Sequence, residues 1–120
     1  MSRFSETLMD HFVSPRNSGT MEVPDRVGLA GTPGHGPFMA IQLRLAGVHI
    51  AGAKFQTYGC GASIAAGSML TEMIIGRSVA ECLEVSAEHL SIALGGFPPD
   101  KQHCPIMAIA ALREALANSR

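Results

Sequence analysis

Tryptophan is absent from this chain, tyrosine occurs once and phenylalanine five times, and no basic run offsets a formal net charge of −1. Little is on hand to neutralise phosphates or stack on bases, which argues against a nucleic-acid binder. No apolar run approaches the roughly 18 residues needed to cross a bilayer, so no membrane span is expected. Residues 1–16 also lack the apolar core of a signal peptide. Cysteine is scarce and odd in number, with three copies. In a chain read as cytoplasmic, that argues against a disulfide framework and points to free thiols or metal ligands. What is present is an ordinary globular composition. Apolar residues make up 47% of 120 positions, enough for one buried core and a single domain over residues 1–120.

The most distinctive stretch is residues 55–68, FQTYGCGASIAAGS. It reads as a strand running into a tight glycine turn and straight on into a helix. Cys60 stands between Gly59 and Gly61, at the mouth of that helix. Unpaired N–H groups and partial positive charge there favour thiolate over thiol.

Upstream, Phe4, Leu8 and Phe12 are spaced for a helix over residues 4–13, with Ser5 as its cap and a stop over residues 14–19. Residues 20–37 have no periodicity and read as one irregular loop. Alternation then predicts a strand over 38–45, a turn at Gly47, a strand over 48–50, a second turn at Ala51–Gly52 and a strand over 53–57. The expected class is α+β, with a three-stranded antiparallel sheet packed against helices. From Cys60 onward everything reads as helical. A helix over 61–75 is closed by Gly76, and two short helices over 78–85 and 86–94 are each opened by a serine. A rigid connector covers 95–101. The last helix is expected to start at Pro105 with Cys104 as its cap, burying Ile109, Leu112 and Leu116.

Cys60 and Cys104 thus occupy the same kind of place, His103 directly precedes Cys104, and His35 lies between two glycines in the irregular loop. Thiolate and imidazole suit zinc or iron–sulfur clusters rather than magnesium or calcium. If the loop, the strand–helix turn and the last helix converge, His35, Cys60, His103 and Cys104 supply four ligands. No CxxC or HxxxH spacing reinforces the set. Blander readings therefore stand beside it: Cys60 as a small structural residue, His35 as a solvated loop histidine, Lys101 as a surface lysine. Cys82, Met69 and Met73 read as core, and His11, His49 and His89 as solvated or locally bonded.

Three separate motifs make the sequence resemble the iron–sulfur cluster assembly scaffolds, of the IscU type and the NifU N-terminal domain. They are SETLMDHF with PRN and Gly19 near the start, KFQTYGCGASIA at residues 54–65, and FPPDKQHC at residues 97–104. The resemblance implies an α+β fold and cysteines that hold a transient cluster. It implies a cysteine desulfurase that delivers sulfur, an Hsp70-type chaperone that recognises the Pro–Pro segment, and apo-protein acceptors. It also implies that Lys101 helps attract the incoming sulfur. The family's first ligand motif carries a cysteine, a glycine and an aspartate. Here His35 replaces the cysteine and Pro37 the aspartate, while Phe97 and Asp100 replace aliphatic residues of the chaperone element.

The reading that follows is a scaffold or carrier rather than an enzyme. It binds an iron–sulfur cluster, of the 2Fe–2S kind, or zinc through Cys60, Cys104, His103 and His35, and either cysteine accepts sulfur as a persulfide. The alternatives are a divergent member that keeps its metal centre for electron transfer or regulation, a zinc-dependent sulfur-transfer partner, and a fold used only as a partner surface.

Overall fold

The computed structural model of the chain describes residues 3–118. Its elements in order are α1 (Glu6–Val13), β1 (Arg26–Gly31), β2 (Phe38–Ala46), β3 (His49–Tyr58), α2 (Gly61–Ile74), α3 (Val79–Leu83), α4 (Ala87–Ala93), a 3-10 turn (Pro99–Lys101) and α5 (His103–Ala117). β2 is the central strand and pairs antiparallel with β1 on one side and β3 on the other. Its alternation buries Met39, Ile41 and Leu43 on one face, where β3 adds Ile50, Ala53 and Phe55. α2 and α5 cover that face.

The three-stranded antiparallel sheet is as expected, but two strand assignments are corrected. β1 lies inside the stretch read as an irregular loop. Its positions level with Leu43, Ile41 and Met39 are Arg26, Gly28 and Ala30, so no apolar alternation advertises it. The reason is packing. A Cβ on Gly28 would lie 2.0 Å from the Ala111 carbonyl oxygen and 2.3 Å from the Ala115 nitrogen. Strand and helix meet there backbone to backbone, as only glycine permits.

The second correction concerns Ala51–Gly52, which is not a turn but a bulge inside one continuous β3. Arg44 pairs with Gly52 and Leu45 with Ile50, leaving Ala51 with no opposite residue. That extra residue shifts the parity, so Ile50 and Ala53 both face the core although three apart. Alternation read straight through the bulge breaks, and a break mimics a turn.

Neither side of the sheet is left bare. On the outer side of β1, the Leu29 N–H donates to Glu114 Oε1 at 3.0 Å and Asn118 Nδ2 donates to the Val27 carbonyl at 2.7 Å. Beside β3, the Gly19 N–H donates to the Phe55 carbonyl at 2.9 Å and the Phe55 N–H to the Asn17 carbonyl at 3.0 Å.

Serine caps open α1, α3 and α4, with Ser5, Ser78 and Ser86 each accepting an N–H three residues on. α5 begins earlier than expected, at His103 with Gln102 at its cap. Pro105 is tolerated at its third position because none of the first-turn N–H groups has an intrahelical acceptor. Ile109, Leu112 and Leu116 are buried as expected, and Cys82 is core.

α1 packs on α2 through Leu8 and, against expectation, through His11. The expected solvated or local role for that histidine is wrong: it is 4% exposed and reaches across 57 residues. Its Nδ1 lies 2.7 Å from Ser68 Oγ, which also accepts the Arg16 N–H at 2.9 Å, and its Nε2 is 3.6 Å from Glu72. Burial and the neighbouring Arg16 cation depress the His11 pKa, opposed by Glu72 and Asp10.

Two outcomes are expected. Gly28→Ala should cost about 1–3 kcal/mol, read as a lowered urea midpoint, because the added methyl must push α5 off the sheet. As pH falls below 6.5, the ordinary value for histidine, the unfolded chain gains a proton that the folded His11 refuses. Stability should therefore be full above that value and decline as pH drops toward the depressed folded value. His11→Gln should flatten this part of the pH–stability curve.

Candidate functional site

Tyr58 ends β3, Gly59 carries the chain round, and Cys60 takes the cap position of α2 with extended backbone. Neither flanking glycine is left-handed. Their lack of a side chain serves space instead. A Cβ on Gly61 would lie 2.8 Å from the Phe12 ring, and one on Gly59 would lie 2.9 Å from Ser63 Oγ. Cys104 arrives from the other side, in the first turn of α5. The two helix starts meet with Cys60 Sγ and Cys104 Sγ 3.8 Å apart.

The pair is asymmetric. Cys104 is fully buried, and burial pushes its thiol up to about 11, with further raising from the neighbouring Cys60 and lowering from Ser63 and Lys101. Cys60 is half-buried. Burial pushes its thiol up too, but hydrogen bonding from Ser63, Cys104 and the Ala62 amide outweighs that and holds it below the usual thiol value. No full side-chain cap bond is made, yet the first-turn amides sit close enough to favour the thiolate.

Other expected residues are distributed as follows. His103 Nε2 lies 3.6 Å from Cys104 Sγ on an exposed ring. Lys101 and Cys60 line one cavity of about 400 Å³, whose walls include Phe4, Leu8 and Phe12. His35 is exposed in the loop joining β1 to β2, with its N–H donating to the Thr32 carbonyl at 3.0 Å. That loop leaves the sheet at the Phe38–Tyr58 pair, the end from which β3 runs to Cys60. The four expected ligands do not form a closed cage. Among the described residues, no three His, Cys, Asp or Glu side chains are grouped to hold a metal ion.

Cys82 stands apart, buried and with its thiol pushed up by burial. His89 bonds locally at the start of α4 and His49 is exposed. The residue that sequence reasoning missed is Ser63. Its Oγ is 3.4 Å from Cys104 Sγ and 3.9 Å from Cys60 Sγ. Its place three residues past a cysteine cap was the available signal.

The chain matches the family described as NifU-like N terminal domain over residues 3–120. It is 42% identical over 115 residues to an iron–sulfur cluster assembly scaffold protein IscU of Archaeoglobus fulgidus, covering 96% of this chain and 75% of that protein. It is 37% identical over 120 residues to the IscU scaffold protein of Haemophilus influenzae, covering 96% and 94%. A crystal structure of a candidate SUF-system scaffold protein from Fervidobacterium islandicum AW-1 superposes with a TM-score of 0.74 at 22% identity. It covers 94% of this chain and 96% of that one, a likeness of fold. The expected class and sheet agree with that neighbour.

Limited treatment of the folded, metal-free protein with iodoacetamide should label Cys60 at least about tenfold faster than Cys104, with Cys82 reacting only after unfolding. Peptide mass mapping over a time course reads the order.

Proposed function

The chain belongs to the NifU-like N terminal domain family, and from that membership and the paired sulfurs we propose that it is an iron–sulfur cluster assembly scaffold or carrier. It acts as one domain over residues 1–120 and performs no catalytic turnover of its own. The observation that carries the reading is the 3.8 Å separation of Cys60 and Cys104. A tetrahedral ion with metal–sulfur bonds of about 2.3 Å spaces two thiolates about 3.8 Å apart, so the pair is already at ligand distance. A disulfide would need them at about 2.05 Å.

The cargo is a cluster or a zinc ion, and the remaining positions fall to imidazoles. His103 supplies one, beside Cys104. His35 supplies the other from a loop whose Gly34 and Gly36 are left-handed with open space around them, so the histidine is free to be re-aimed. Neutral imidazoles in place of thiolates would leave a 2Fe–2S cluster less negative and raise its potential. Sulfur comes from a cysteine desulfurase. The thiolate of Cys60 attacks the outer sulfur of the donor's persulfide, a new S–S bond forms on Cys60, and the donor cysteine leaves as thiolate. Lys101, in the same cavity, attracts the anionic persulfide. The Pro98–Pro99 segment is offered to an Hsp70-type chaperone, and apo-proteins receive the cargo in a cytoplasmic setting that suits three free cysteines.

A second reading rests on Pro37. With no carboxylate at that point of the loop, a divergent member could keep its centre for electron transfer or regulation rather than hand it on.

Anaerobic reconstitution with iron and sulfide tests both readings. Wild type should take up a cluster, Cys60→Ala and Cys104→Ala should each take up less than about a tenth as much, and His35→Ala should shift the paramagnetic spectrum. Uptake unchanged by loss of both cysteines would end the proposal. A cluster that stays put in the presence of an apo-acceptor favours the second reading over the first.

A further inference from the structure

Ser63 is 1% exposed, in a helix start whose other residues, Gly61, Ala62 and Ile64, are apolar. A hydroxyl buried without a partner costs free energy, and alanine is the better helix former there. A helical serine commonly turns its hydroxyl back onto a carbonyl of the preceding turn. That of Ser63 points into the gap between the two sulfurs instead. It donates to Cys104 Sγ at 3.4 Å and stands 3.9 Å from Cys60 Sγ, while the sulfurs are 3.8 Å apart. Oxygen and sulfurs form a nearly equilateral triangle.

A second position bears the same imprint. Gly59 has no left-handed backbone to explain it. A Cβ there would meet Ser63 Oγ at 2.9 Å and Ser63 Cβ at 3.4 Å, and apart from the adjacent residues of the chain no other residue comes within 4 Å. The room that glycine leaves is room for that serine. Cys104 is fully buried on a different helix. Besides Ser63 and the Cys60 sulfur itself, Cys104 Sγ has His103 Nε2 at 3.6 Å, on an exposed ring.

We propose that Ser63 is a positioning residue of the sulfur site, its hydroxyl holding Cys104 Sγ at ligand distance from Cys60, with Gly59 reserving the space it occupies. This rests on the reading that the two sulfurs bind metal together. Hydrogen bonds to ligands typically change metal affinity by about 10–100-fold when removed.

Anaerobic titration with cobalt(II) tests it, since the thiolate-to-cobalt charge-transfer band reports the sulfurs directly. Ser63→Ala should weaken cobalt binding about tenfold and move or weaken that band, with little change in the thermal midpoint of the metal-free protein. Gly59→Ala, which retains the hydroxyl but displaces it, should reproduce the loss. A structural role alone would lower the midpoint and leave the band as in wild type. Wild-type affinity and spectrum in Ser63→Ala would overturn the proposal, and the same result in Gly59→Ala would overturn the part assigned to that glycine. A wild-type protein that takes up no cobalt would instead overturn the two-sulfur reading itself, and this inference with it.

Discussion

How closely α5 can lie against the sheet decides where Cys104 ends up. At the crossing with β1 there is no side chain on the strand, because Gly28 occupies it, and the helix presents Ala111 and Ala115. Backbone then touches backbone, and the close seat fixes the helix along its whole length. Its first turn is carried to the start of α2, where Cys60 waits. Any residue larger than glycine at that crossing would lift α5 and open the distance between sulfurs at its far end. Packing of a strand thus bears on the spacing of the two sulfurs, about two to three turns of helix away from it.

The sulfurs are alike in chemistry and unlike in setting. Cys60, at a helix mouth and half-open to the cavity beside Lys101, is held toward thiolate. Cys104, sealed inside, is held toward thiol. An electrophile entering that cavity meets the more open and more readily ionised sulfur first, while burial disfavours ionisation of the other.

Much of this was legible in the sequence, and the exceptions have physical reasons. β2 announces itself because its inward residues, Met39, Ile41 and Leu43, are large and apolar and alternate with Ala40, Gln42 and Arg44. β1 does not, because the tight seat of α5 demands small residues, and small residues leave no hydrophobic signal. The bulge at Ala51 broke the alternation of β3 and so looked like a turn. The sulfur pair was readable from the glycines around Cys60 and the His–Cys–Pro run at Cys104, although Pro105 bounds the helix start only to within a turn. His11 and Ser63 were hidden for a common reason. Each is a polar residue whose partner lies on another element, His11 on Ser68 and Ser63 on Cys104, and periodicity in one segment carries no information about a partner in another.

The side chains of Glu114 and Asn118 have one further effect. By taking up the Leu29 amide and the Val27 carbonyl, they leave a visiting polypeptide no ladder to zip onto along that flank. A chain arriving at that edge would meet the side chains of Glu114 and Asn118 in place of open main-chain groups at those two positions.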